Sequence, residues 1–149
     1  MKNINPLEDC IFCKIARNEE KNYCIYEDDS IKAFLDVNPW TIGHTIIISK
    51  THYENIFDIP EKELEKVIVV VKRIVDIYKK ILGISDVNII QSSGKTAQQD
   101  IFHFHMHLVP RYKSDGQSIN LKIKEDIKLK LPTTFEKIKS ELDKNTTSP

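Results

Sequence analysis

A single stripe of apolar side chains between Glu61 and Leu82 limits the folds open to this chain. Leu64, Val67, Ile68, Val71, Ile74, Val75, Tyr78, Ile81 and Leu82 recur at helical spacing, which predicts one amphipathic helix. Pro60 suits its first turn and Gly83 its C-terminal stop. Its many β-branched residues would make a poor isolated helix, so packing against a sheet must hold it. With 149 residues there is room for one domain with a proper core and too little for two of ordinary size.

Short strands supply that sheet. Tyr23 to Glu27 and Ile31 to Leu35 are apolar runs divided by Asp28-Asp29-Ser30, which reads as a hairpin. Pro39 and Gly43 set a loop over residues 36–43, and Thr45 to Ser49 is apolar enough to be a central strand buried on both faces. Val87 to Gln91 reads as another strand, followed by a polar loop over residues 92–100. Before the hairpin, residues 8–18 fit a short helix capped by Asp9, with Ile11, Phe12 and Ile15 on one side. Phe135 to Leu142 fits a terminal helix, with fraying expected over Asn145 to Pro149. Strands with one major helix on one side predict an α+β domain on a mostly antiparallel sheet.

The stretch Ile101 to Pro110 completes the strands and carries the most chemistry. It holds three of the five histidines, at strict spacing of two. On an extended strand His103, His105 and His107 would line one face, while Phe104, Met106 and Leu108 enter the core. One histidine is usually a satisfied or exposed residue; three in a row after a Gly/Ser/Gln-rich loop point to function. Such a row offers a neutral imidazole nucleophile flanked by groups that can hold an anion. The hydroxyls and backbone N–H groups of the preceding loop suit phosphate oxygens. Metal binding by all three is the competing reading, but same-face neighbours on a flat strand stand about 6.6–6.8 Å apart, so one or two share a metal more easily.

Cys10-Ile11-Phe12-Cys13 is a lone Cys-x-x-Cys. It fits a zinc half-site, a redox pair, or two cysteines one helical turn apart. A zinc site needs two more ligands, for which His52 and one histidine of the triad are the natural candidates. His44 reads as a residue making a structural hydrogen bond. Asp36 reads as a turn acid, with a ribose-binding carboxylate as the alternative.

Lys+Arg 22 balance Asp+Glu 22, which argues against a general nucleic-acid binder and leaves room for a local anion pocket. No apolar run approaches the roughly 20 residues that span a bilayer, and Met1 to Pro6 has no secretory h-region. Three cysteines fit a reduced compartment, so a cytoplasmic location is expected.

His103-Phe104-His105-Met106-His107-Leu108-Val109 resembles the signature of the histidine triad (HIT) family. Further blocks are similar in the family's order: Cys10 to Ile15, Ala33 to Pro39, Gly43 to His52, and Asn88 to Lys95. The resemblance covers residues 8 to about 112. It sets the expected organisation as a HIT domain over residues 1–112 with a C-terminal tail over 113–149, part of the same domain or of a dimer interface.

The resemblance implies a five-stranded α+β fold, continuous across a homodimer, and a nucleotidyl hydrolase or transferase. His105 would attack the α-phosphorus of a purine nucleotide conjugate, a phosphoramidate or a dinucleoside polyphosphate. A covalent intermediate would then release the nucleoside monophosphate. His107 would attend the phosphate, and Asp36 would hold the ribose. Ile11, Phe12, Ile15, Leu35 and Val37 would line the base pocket, with Ser92 and Gln99 reaching toward the phosphate. In the zinc-binding subset, Hint-like and bacterial-type, the ligands match Cys10, Cys13, His52 and His103, a structural set with no open position. The sequence departs from the family at Gln98-Gln99-Asp100, where Gly-Gln-Ser is usual. Two other readings stand beside the enzyme: a catalytically weak nucleotide-binding protein, with Asp100 as the damage, or a zinc-held structural or adaptor domain.

Overall fold

The computed structural model describes residues 9–146 and parts into two compact units, one ending at Gln117 and one beginning at Ser118. In the first, α1 (Ile11–Ala16) precedes a hairpin of β1 (Tyr23–Glu27) and β2 (Ile31–Leu35). β3 (Thr45–Ser49), α2 (Glu61–Ile81), β4 (Asp86–Ile90) and β5 (His105–Arg111) follow. The five strands form one sheet in the order β1-β2-β3-β5-β4, every pair antiparallel. The second unit holds α3 (Glu125–Lys128) and α4 (Leu131–Thr146), so the terminal helix is longer than Phe135 to Leu142. No described helix is long and apolar enough to cross a membrane.

Most of the predicted stripe of α2 covers one face of the sheet, but Ile68 (44%) and Ile81 (68%) are exposed, while Val70, outside the predicted stripe, is buried. Val67, Val70, Val71, Ile74 and Tyr78 bury against Ile31, Ala33, Ile47, Phe104, Met106 and Leu108. Each such side chain contributes roughly 1.5–3 kcal/mol on burial, which offsets the poor helix propensity of so many β-branched residues. Phe104, Met106 and Leu108 do enter the core, as their alternation predicts. Gly43 marks the tight corner before β3. Its φ is +83°, and a Cβ there would come within 2.9 Å of Leu82 Cδ1 and 3.2 Å of Pro110 Cγ.

The opposite face carries α1, where Phe12, Ile15 and Ala16 pack on Phe34, Ile46 and Ile48. The helix is capped by Cys10 rather than Asp9: Cys10 Sγ accepts from the Cys13 backbone N–H at 3.4 Å. Lys32 is fully buried on this side, its Nζ donating to Asn18 Oδ1 at 2.5 Å and facing Glu27 Oε2 at 3.2 Å. That contact ties the end of α1 to the hairpin. Between α1 and the sheet lies the chemistry.

Candidate active site and metal centre

The three histidines do not share one straight strand. β5 begins at His105, and the chain bends over Ile101–His103, with the His103 N–H donating to the Ile101 carbonyl at 2.9 Å. The next N–H, of Phe104, donates to Tyr53 O at 2.6 Å instead of to a neighbouring strand. His105 pairs with Ile48 and His107 with Ile46, on the α1 face of the sheet. The bend separates His103 from them and makes two adjoining sites.

His105 is buried beneath the edge of Phe12, ring centroids 5.1 Å apart and planes at 72°. Its Nδ1 lies 2.7 Å from the His103 carbonyl oxygen. A carbonyl only accepts, so Nδ1 carries the proton and Nε2 presents a lone pair.

His107 is the end of a polar chain. His44 Nε2 and His107 Nδ1 are 2.9 Å apart, and the Trp40 backbone N–H donates to His44 Nδ1 at 3.2 Å. An amide N–H only donates, so neutral His44 is protonated on Nε2 and donates to His107 Nδ1. His107 then carries its own proton on Nε2 and is a donor. Asp36 Oδ2 is 3.5 Å from His44 Nδ1, too long for a competing hydrogen bond, and Asp36 Oδ1 accepts from Asn38 N–H at 2.8 Å. The turn role of Asp36 is therefore real, beside its place next to His44.

Burial keeps His44 and His107 neutral. It is the main cause that pushes His107 down to about 4, with His105 and His44 adding to it, and it lowers His44 against the pull of Asp36. Trp40 supplies part of the cover: its indole stacks on His44 at 4.5 Å and on His107 at 4.8 Å. Neither Trp40 nor the His44–His107 bond was legible in the sequence. Spacing along the chain says nothing about which residues β3 and β5 bring together.

The second site gathers Cys10, Cys13, His52 and His103, whose ligand atoms all lie within 4.8 Å of one another. His103 Nε2 is 2.8 Å from the Ser49 carbonyl, which fixes its proton there and turns the Nδ1 lone pair inward. That nitrogen is 3.4 Å from Cys10 Sγ, 3.5 Å from Cys13 Sγ and 3.2 Å from His52 Nδ1, and Cys13 Sγ is 3.3 Å from His52 Nδ1. Around tetrahedral zinc, ordinary bond lengths give edges of about 3.3 Å between two nitrogens and about 3.6 Å between sulfur and nitrogen. The four residues fit such an ion. Burial chiefly pushes His103 down to about 4, leaving it in the neutral form a metal requires.

The predicted pocket residues fall into two groups. Phe12 and Ile15 are buried in the layer under α1, and Leu35 is half-buried, whereas Ile11 is 39% and Val37 71% exposed. Ser92 is half-buried at the start of the polar loop. Gln99 is buried and its amide is engaged: Oε1 accepts from Gly94 N–H at 2.8 Å, while Nε2 donates to the Glu54 and Ile101 carbonyls at 2.8 and 3.0 Å. Gln98 occupies the left-handed region at φ 66°, a conformation glycine takes most readily. Asp100 is exposed, with Oδ1 3.9 Å from His105 Nε2.

An antiparallel sheet with a long helix on one face, and a buried histidine pair beside a Cys/His cluster on the other, defines an α+β protein built to use imidazoles. The HIT domain model matches residues 17–114. The chain belongs to the HIT family. An uncharacterized HIT-like protein of Borreliella burgdorferi is 44% identical over 110 residues, 72% of this chain and 79% of that protein. The adenosine 5′-monophosphoramidase HNT1 of Saccharomyces cerevisiae is 36% identical over 102 residues, 68% of this chain and 62% of the yeast protein. The crystal structure of a Zn-bound histidine triad family protein from Mycobacterium smegmatis superposes with a TM-score of 0.72 at 34% identity, covering 79% of this chain and 86% of that one.

Proposed function

We propose that this chain hydrolyses a purine nucleotide conjugate at its α-phosphorus, using His105 as nucleophile and releasing a nucleoside monophosphate. The observation that carries the reading is the pair of opposed tautomers. His105 offers a buried Nε2 lone pair with its far nitrogen pinned by a carbonyl, and His107 beside it offers an Nε2–H. The first can attack phosphorus, and the second can donate to a phosphoryl oxygen as charge builds on it. The phosphoramidase named among the relatives supports the same reaction class.

In this reading Asp36 accepts the ribose hydroxyls, and Ile11, Phe12, Ile15, Leu35 and Val37 form the base pocket. Ser92 serves the phosphate directly, and Gln99 serves it by holding the loop in shape. Zinc, held by Cys10, Cys13, His52 and His103, supplies a structural tie between α1 and the bend before β5. His103 thereby belongs to two tasks, since its ring faces the metal pocket while its carbonyl orients His105. The protein acts in the cytoplasm as a homodimer, joined through the exposed apolar residues Ile68, Val69, Ile77 and Ile81 of α2 and through edge strand β4.

The test is AMP release from a small panel, adenosine 5′-phosphoramidate and diadenosine tetraphosphate, by wild type and His105→Ala. Wild type should release AMP from at least one, and His105→Ala should lose at least a thousandfold in rate while still binding nucleotide. Turnover that survives in the variant refutes the mechanism.

A further inference from the structure

Asp100 closes the polar loop and stands beside the proposed nucleophile. Its Oδ1 accepts the Ile101 backbone N–H at 2.9 Å, a bond that fixes where the carboxylate sits. The same oxygen lies 3.9 Å from His105 Nε2, and the side chain is 80% exposed. Among the described residues no lysine or arginine stands within ion-pair distance of Asp100, and the nearby His105 Nε2 carries a lone pair rather than a proton, so nothing there neutralises the carboxylate. Nor does Asp100 belong to either cluster of residues that could hold a metal ion.

Phosphorus must bond at His105 Nε2, so whatever that phosphorus carries on the Asp100 side passes close to a fixed, unpaired negative charge. Such a charge opposes an anionic group and favours a cationic one. We propose that Asp100 is a specificity-determining residue that selects leaving groups bearing positive charge over polyphosphate leaving groups. This rests on the reading of His105 as nucleophile. In the step concerned the Nε2–P bond forms as the P–N bond to the leaving amine breaks. The amine nitrogen keeps the electron pair and takes a proton from solvent. Water then adds to phosphorus, the Nε2–P bond breaks, and a proton returns to solvent.

The experiment compares kcat/KM for N-(2-aminoethyl) and N-propyl adenosine 5′-phosphoramidate, a near-isosteric pair differing in one positive charge, with diadenosine tetraphosphate as a third substrate. Wild type and Asp100→Asn are assayed at low and high salt, with and without added magnesium. Asparagine keeps an oxygen for the Ile101 N–H, so the variant removes charge and leaves the loop its cap. Wild type should prefer the aminoethyl compound by about fivefold at low salt, and that ratio should approach one in Asp100→Asn and at high salt. The tetraphosphate should gain by about fivefold relative to the propyl compound in the variant. Unchanged ratios in an active Asp100→Asn overturn the proposal, as does a preference that appears only with magnesium. A wild type that releases AMP from none of the three overturns the nucleophile reading, and this inference with it.

Discussion

At the scale of single residues, the proton positions are set by groups that cannot change roles. The His103 carbonyl can only accept from His105, and the Trp40 amide can only donate to His44. Side-chain cover then keeps His44 and His107 neutral. Trp40→Ala exposes the stacked faces of His44 and His107, so the His107 pKa should rise from about 4 toward 6.5 in a proton NMR titration. His107 also makes stability depend on pH. Between pH 6.5 and about 4 the unfolded chain binds a proton that the folded chain refuses, so stability falls as pH falls through that window. Chemical denaturation in that window should show a shallower pH slope for His107→Asn than for wild type. The alternation of histidines and apolar residues was enough to place His105 and His107. Their tautomers were not legible, because the groups that set them lie in segments that meet only on folding.

At the scale of elements, α1 and the bend before β5 are each too short to hold themselves in place. Six residues make a marginal helix, and its buried face alone is small. The Cys/His cluster joins the two, so if it holds the proposed zinc, loss of the metal should act on fold and site together. Cys13→Ser should abolish stoichiometric zinc in the purified protein and lower the melting temperature by several degrees. A zinc content unchanged in that variant would refute the four-ligand site.

α2 behaves differently, since packing on the sheet supports it along its length. Ile74 is buried and Ile68 is 44% exposed. Ile74→Ala should cost about 2–4 kcal/mol in chemical denaturation of the monomeric state, and Ile68→Ala less than about 0.5 kcal/mol. That contrast could not be drawn from the apolar stripe, which holds both residues; it depends on which part of the stripe faces the sheet. Nor could the cap of α1 be read: Asp9 has the better capping chemistry, but Cys10 occupies the position and its sulfur faces the Cys13 amide. Ligand geometry outranks propensity at that site.

At the scale of the whole molecule, the order β1-β2-β3-β5-β4 makes β3 and β5 inner strands and leaves β4 at an edge. His105 and His107 lie on β5, and the Cys/His cluster draws His52 and His103 from just beyond the ends of β3 and β5. The α+β class followed from the element order in the sequence. The two-site division came from the family resemblance, which assigns His103 to the Cys/His set; the bend that turns His103 toward the cysteines was not legible, because a row of histidines drawn on a straight strand hides it. The exposed apolar residues of α2 give the proposed dimer a test of its own. Ile77→Glu should shift wild-type dimer to monomer in sedimentation velocity, and an unchanged sedimentation coefficient would contradict that interface.

The proposed covalent nucleotidylation of His105 can be trapped in a rapid-quench experiment. Protein mixed with adenosine 5′-phosphoramidate is quenched in alkali within the first turnover and its peptides are mapped by mass spectrometry. An adenylyl group should appear on the peptide containing His105, be absent from His105→Ala and be preserved on that residue in Asp100→Asn. AMP release with no adduct on His105, or an adduct on His107 instead, would contradict His105 as the nucleophile.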